Sequence, residues 1–276
     1  MNLKNFLIRL IVALFGIPFI FITIYFGNPL FLLLITLIQI LCLREFADLI
    51  RRKGLHPSVS PGVAGLLLVN GLIHFGAAEW ILGGLCLVFV LFLLIELFKG
   101  EPEALANVGA SVLGFVYIGL LSFLILIRNL LGGDMFTDRD NAFLVMMIFA
   151  TIWICDTAAY LFGANFGKHK LFERVSPNKT WEGAIAGLVF AVLFSILFSA
   201  LLIPSLPASI ALWLGLIIGI LGQTSDLVES LFKRDAHLKD TSSMIPGHGG
   251  VLDRFDSPIL IAPAAYALLF YWIFSA

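Results

Sequence analysis

Long apolar runs separated by short polar stretches dominate this chain. Crossing the hydrocarbon core of a bilayer takes roughly 20 mostly apolar residues in a helix. Nine runs approach that length, near 7–27, 30–49, 61–77, 79–98, 107–128, 142–163, 181–203, 208–229 and 257–275. The pattern predicts an all-α, polytopic integral membrane protein with about nine transmembrane helices. The second run is the least regular, because Arg44, Glu45 and Asp48 lie at its end. Pro and Gly inside the runs are compatible with membrane helices. The first run follows Lys4 and Arg9 without a small-residue cleavage motif behind it, so it is expected to be a retained span.

Composition sharpens this picture. Of 276 residues, 60% are hydrophobic and 13% charged, with a mean hydropathy of +1.03. Soluble domains have roughly 45–50% apolar and about 25% charged residues. A net charge of −1 gives no basis for a nucleic-acid partner. Cys42, Cys86 and Cys155 form no CxxC pair and read as small apolar residues, neither a disulfide framework nor a zinc site.

The distribution of charge sets an orientation. With a cytoplasmic N-terminus and nine spans, fifteen of the 17 basic residues fall in cytoplasmic segments, leaving Arg128 and Arg139 on the other side. Residues 1–140 then form an N-terminal region of about five spans, and 141–276 a C-terminal region in which two polar cytoplasmic loops, 164–180 and 230–256, are where chemistry is expected. The expected location is a bacterial inner (plasma) membrane with the chemistry facing the cytoplasm.

Candidate chemistry gathers around those loops. Asp226, Glu229, Ser230 and Lys233 share one helix face if the eighth span continues past its apolar part. A carboxylate at that depth is costly unless paired or bound to a cation. Pro246-Gly247-His248-Gly249-Gly250 follows; its glycines let backbone approach phosphates, and His248 either donates to a phosphate or orders the loop. Asp253 and Asp256, with Asp226, offer oxygen ligands of the kind Mg²⁺ prefers. Asp256 or Ser257 can alternatively cap the ninth helix, with Pro258 in its first turn. Lys233, Lys239 and Arg254 suit phosphate oxygens. Ahead of the other loop, Asp156 and Tyr160 share a helix face, and Gly163, Gly167 and Lys168 resemble a phosphate-approach turn. Ser176, Lys179, Thr180 and Glu182 precede the seventh span; Lys179 is the stronger phosphate candidate, while Thr180 or Asn178 can cap the helix.

Neither loop carries a P-loop, a Rossmann fingerprint, a kinase motif set or a GxSxG elbow. The aspartate-rich motif of CDP-alcohol phosphotransferases is absent as well. The run Ser230-Leu231-Phe232-Lys233-Arg234, then Lys239-Asp240, Pro246 to Gly250 and Asp253-Arg254-Phe255-Asp256, resembles the phosphatidate cytidylyltransferase (CDP-diacylglycerol synthase) family. Asp156 to Tyr160 and Ser176 to Gly183 resemble the family's other shared region.

The resemblance implies conversion of CTP and phosphatidic acid to CDP-diacylglycerol and pyrophosphate with Mg²⁺, in some members with a second cation such as K⁺, by polytopic and often dimeric enzymes. Carried over residue by residue, it makes Asp226 and Asp253 the first metal ligands, with Asp256 and Asp156 as further members. Lys239 and Arg254 join Asp226 and Asp253 as catalytic candidates. Ser176, Lys179, Thr180, Glu182, Lys233, His248, Gly249 and Gly250 become substrate contacts. A CTP-dependent polyprenol or lipid kinase, and an ion-coupled transporter, are the competing readings.

Overall fold

The computed structural model describes residues 3–129, 136–247 and 249–275; His248 lies outside the described residues. Ten α-helices carry the chain: α1 (Leu3–Phe26), α2 (Leu30–Arg51), α3 (Val59–His74), α4 (Ile81–Lys99), α5 (Ala104–Gly119), α6 (Ser122–Asn129), α7 (Asp138–Phe166), α8 (Trp181–Leu202), α9 (Ala208–Asp235) and α10 (Leu252–Ser275). Two short antiparallel strands, β1 (Lys170–Phe172) and β2 (Ser176–Thr180), stand between α7 and α8. The all-α, polytopic expectation holds. Among the described residues seven spans are long and apolar enough to cross a membrane: α2, α4, α5 with α6, α7, α8, α9 and α10. Of the other two expected spans, the first lies within the 24-residue α1, and the third is the 16-residue α3, shorter than a full crossing.

The structure redraws several expected boundaries. The fifth span is two helices, because the chain turns at Leu120–Leu121 before α6 starts at Ser122. The 164–180 loop shrinks to the connections around the hairpin, in which Lys170 pairs with Thr180 and Phe172 with Ser176. The last loop shortens at both ends to 236–251, since α9 runs on to Asp235 and α10 begins at Leu252. Asp256 is therefore inside α10 and does not cap it, and Pro258 also lies within the helix.

By packing, the chain forms two compact units. One consists of Met1–Ile125 and Phe232–Phe255, the other of Leu126–Leu231 and Asp256–Ala276. The first unit thus combines helices α1–α5 with the 236–251 loop, a grouping different from the expected division at residue 140. Its apolar core contains Leu43, Leu66, Val88, Phe92 and Phe115. Beside the core, Asn70 donates to Thr36 (2.8 Å) and to Gln39 (2.7 Å). Gln39 donates to the Ser122 hydroxyl (2.9 Å), which donates back to Asn70 (2.7 Å). A closed circuit of this kind removes the penalty of polar groups away from water.

In the second unit α7 and α8 approach closely. A Cβ at Gly183 would sit 2.6 Å from the Ala159 carbonyl and 3.1 Å from Cα of Gly163, so only glycine allows this contact. Gly163 is accordingly a packing residue inside α7, not part of a turn. Thr137 and Asp140 form a reciprocal capping box that starts α7. Arg128, buried on α6, pairs with Asp138 at that helix start, with Nη2 3.1 Å from Oδ2.

Candidate active site

The second unit brings three carboxylates together. Asp226 and Glu229 sit three residues apart on α9, and Asp256 projects from the second turn of α10. One oxygen of each lies within 4.8 Å of the others, and Glu229 and Asp256 are buried. The Ser225 hydroxyl donates to the Asp256 carbonyl at 2.6 Å, which fixes the two helices against each other at this level. Three like charges so close repel one another unless cations compensate. One cation is Lys179, at the end of β2, which ion-pairs with Asp226. An all-oxygen, partly buried donor set fits a hard divalent ion such as Mg²⁺ better than a soft one.

Beside this group lies a cavity of about 470 Å³ lined by Asp156, Tyr160, Asn178, Lys179, Gln223 and Asp226, among others. That size falls in the usual ~300–1,000 Å³ range of small-molecule sites. Gln223 is held by the carbonyls of Ala184 (3.1 Å) and Gly219 (2.8 Å), and Lys179 reaches toward the Gln223 carbonyl (3.4 Å). Asp156 is exposed on α7 and faces this cavity. Thr180 caps α8 by accepting from the Gly183 N–H at 3.2 Å. Glu182 accepts from the His169 ring at 2.7 Å and from its backbone N–H. Ser176 opens β2, half-buried.

The first unit organises the last loop. The Asp253 Oδ1 accepts from Lys233 Nζ at 2.7 Å, and both side chains are buried. Its Oδ2 accepts from the N–H groups of Thr241 (3.0 Å) and Gly250 (2.7 Å) and lies 3.0 Å from the Thr241 hydroxyl. Both oxygens of Asp253 thus bind the loop and α9, and Lys233 is held by Asp253. Gly249 has φ +85°, open to glycine and strained for other residues, and the Ile245 N–H donates to its carbonyl at 2.8 Å. At Gly250 a Cβ would lie 2.1 Å from the Thr241 hydroxyl and 2.4 Å from Glu45 Oε2. Lys239 and Arg254, both exposed, line a polar cavity of about 610 Å³ with Asp240, Ser242 and Gly249. Two cations and a glycine turn offer donors suited to phosphate oxygens.

Two participants were not among the expected site residues. Glu229 was legible as a neighbour of Asp226 on a helix face. Glu45 gave no signal beyond its odd place at the end of an apolar run.

Residues 7–272 match the profile of the Cytidylyltransferase family. The chain belongs to that family. Among curated proteins, this cytidylyltransferase-family chain is 34% identical over 230 residues to the phosphatidate cytidylyltransferase of Bacillus subtilis, covering 80% of this chain and 83% of the relative. With the enzyme of that name from Synechocystis it shares 32% identity over 282 residues, 94% of each chain. With that from Staphylococcus haemolyticus it shares 29% over 270 residues, covering 95% of this chain and 98% of the other.

Proposed function

We propose that this protein transfers CMP from CTP to phosphatidate, giving CDP-diacylglycerol and pyrophosphate. The observation that carries the reading is the close-set acidic group of Asp226, Glu229 and Asp256 beside a cavity bearing Lys179, in a membrane protein whose near-full-length relatives bear the name phosphatidate cytidylyltransferase. An oxygen of the lipid phosphate attacks the α-phosphorus of CTP. The bond from that phosphorus to the oxygen bridging toward the β-phosphate breaks, and pyrophosphate leaves. The nucleophile is already anionic, so no residue has to remove a proton. The obstacle is to hold two polyanions in line.

Asp226, Glu229 and Asp256 are the residues that would hold Mg²⁺. Bound there, the ion would neutralise phosphate charge and polarise the reacting phosphoryl group. Lys179 is released from Asp226 to meet phosphate oxygens as the nucleotide enters, and Asn178, Gln223 and Tyr160 offer polar contacts in the same cavity. Within the first unit, Lys239 and Arg254 offer cationic contacts of their own to phosphate oxygens. Asp253 orders that loop through Lys233, Thr241 and Gly250. The excess of basic residues in the assigned cytoplasmic segments supports a site open to the cytoplasm, where CTP arrives from water while acyl chains stay in lipid.

The position of label in the product tests the reading. Purified protein with phosphatidate, Mg²⁺ and CTP labelled at the α-phosphate should produce a labelled liponucleotide, and γ-labelled CTP should release labelled pyrophosphate. Transfer of the γ-label to lipid would overturn it in favour of a CTP-dependent lipid kinase. Ion flux in liposomes without CTP turnover would favour a transporter.

A further inference from the structure

Glu45 sits near the end of α2 and is 3% exposed. A buried carboxylate is costly unless donors compensate it. Here the donors come from 196 to 207 residues further along the chain. Oε1 accepts from the Ser242 hydroxyl (2.7 Å) and the Val251 N–H (2.9 Å). Oε2 accepts from the Leu252 N–H (2.8 Å) and lies 2.9 Å from the Thr241 hydroxyl. Val251 and Leu252 are at the start of α10, so their N–H groups are among those a helix leaves without partners of its own. Glu45 therefore caps α10 from another helix, where the positive end of the helix dipole favours a negative charge.

The contacts continue beyond the cap. The Thr241 hydroxyl has one proton and stands within 3.0 Å of both Glu45 and Asp253. Asp253 in turn holds Lys233. A chain of side chains thus runs from α2 through Thr241 and Asp253 to α9. It holds the last loop at two places, 241–242 and 250–252. Ser242 and Arg254, which line the cationic cavity, are respectively a direct partner of Glu45 and two residues beyond Leu252.

From this geometry we infer that Glu45 is a positioning residue for nucleotidyl transfer, locking the 236–251 loop and the start of α10 so that Lys239 and Arg254 present their charges to a phosphate group. The inference rests on the proposed reaction for its catalytic part. The anchoring itself is measurable without turnover.

Glu45→Gln keeps the shape but turns an NH₂ group toward two of the four donors, setting donor against donor. The expected result is at least a tenfold loss of kcat/KM per folded protein. Amide hydrogen exchange should accelerate in the 241–252 segment while α3–α5 exchange as in the wild type. Glu45→Asp, which keeps the charge but is one methylene short, should recover part of both. Thr241→Val removes the bridging hydroxyl at nearly constant shape, and should give a smaller loss, of threefold or more, with the same localised exchange. It decides the matter if Glu45→Gln does not fold. Activity within twofold of wild type in the folded variants overturns the inference, as does faster exchange spread over all of the unit, which marks a purely structural role. If wild-type protein makes no CDP-diacylglycerol, the proposed reaction fails, and unchanged exchange at 241–252 would separately remove the anchoring.

Discussion

Replacing Glu229 by Gln gives a quantitative test of the acidic group. Its carboxylate lies within 4.8 Å of those of Asp226 and Asp256, with Lys179 offsetting part of the charge at Asp226. At an effective dielectric constant of about 20, two unit charges at that distance repel by about 3.5 kcal/mol before screening. Removing one of three charges lifts two such repulsions, about 7 kcal/mol gross. Solvation, relaxation and neighbouring groups cancel most of this, so a net effect of about 1–2 kcal/mol is the reasonable scale. The sign differs between the two states of the site. Without divalent ion the variant gains stability; with it, the variant loses a charged ligand. Glu229→Gln should therefore raise the half-activating Mg²⁺ concentration by roughly 10–30-fold, the equivalent of about 1.4–2 kcal/mol. It should also shrink the rise in Tm that Mg²⁺ gives the wild type. The assays are CDP-diacylglycerol formation across a Mg²⁺ titration and thermal unfolding with and without the ion. A half-activating concentration within twofold of wild type, together with an unchanged Tm response, would refute the reasoning.

Other substitutions probe separate parts of the account. Lys179→Ala removes the cation paired with Asp226 and should raise KM for CTP at least tenfold in steady-state kinetics; unchanged constants would exclude it from the nucleotide site. Asp253→Asn loses acceptance from Lys233 or from the Thr241 and Gly250 N–H groups, and should abolish product formation while its Mg²⁺-dependent Tm shift persists; loss of that shift would place Asp253 among the metal ligands instead. Gly183→Ala pushes a methyl to within 2.6 Å of the Ala159 carbonyl, and should lower stability by about 1–3 kcal/mol in denaturant or thermal unfolding.

Hydropathy made the helical architecture legible because lipid demands long apolar segments whose backbone groups bond internally. It was a poor guide to where helices end. The α9 helix passes its apolar part and continues through Lys233 and Arg234 to Asp235, held there by contacts such as Lys233 with Asp253. The start of α10 was expected near Ser257 because Pro258 suits a first turn. It lies earlier because Glu45 caps the N–H groups of Val251 and Leu252, a partner no local pattern contains. The β1–β2 hairpin escaped notice for another reason: its strands of three and five residues carry no apolar alternation.

The site was legible to a similar degree. Asp226 and Asp256 were readable as carboxylates near one membrane edge, and helical spacing put Glu229 beside Asp226. Gly163 and Gly183 were ambiguous in sequence, since glycine serves both phosphate approach and helix packing. Only the α7–α8 contact separates those uses. The burial of Lys233 against Asp253 was equally hidden, because positive charge near a membrane edge has the same sequence signature whether it meets solvent, lipid or a carboxylate.

Liponucleotide synthesis by the wild type and by the Asp226→Asn, Asp256→Asn double variant is the most direct trial of the account. Both proteins, purified and shown to be folded, would receive labelled CTP, phosphatidate and Mg²⁺. The account predicts labelled CDP-diacylglycerol from the wild type and none above background from the double variant. Comparable product from both, or a wild type that forms no liponucleotide, would contradict it.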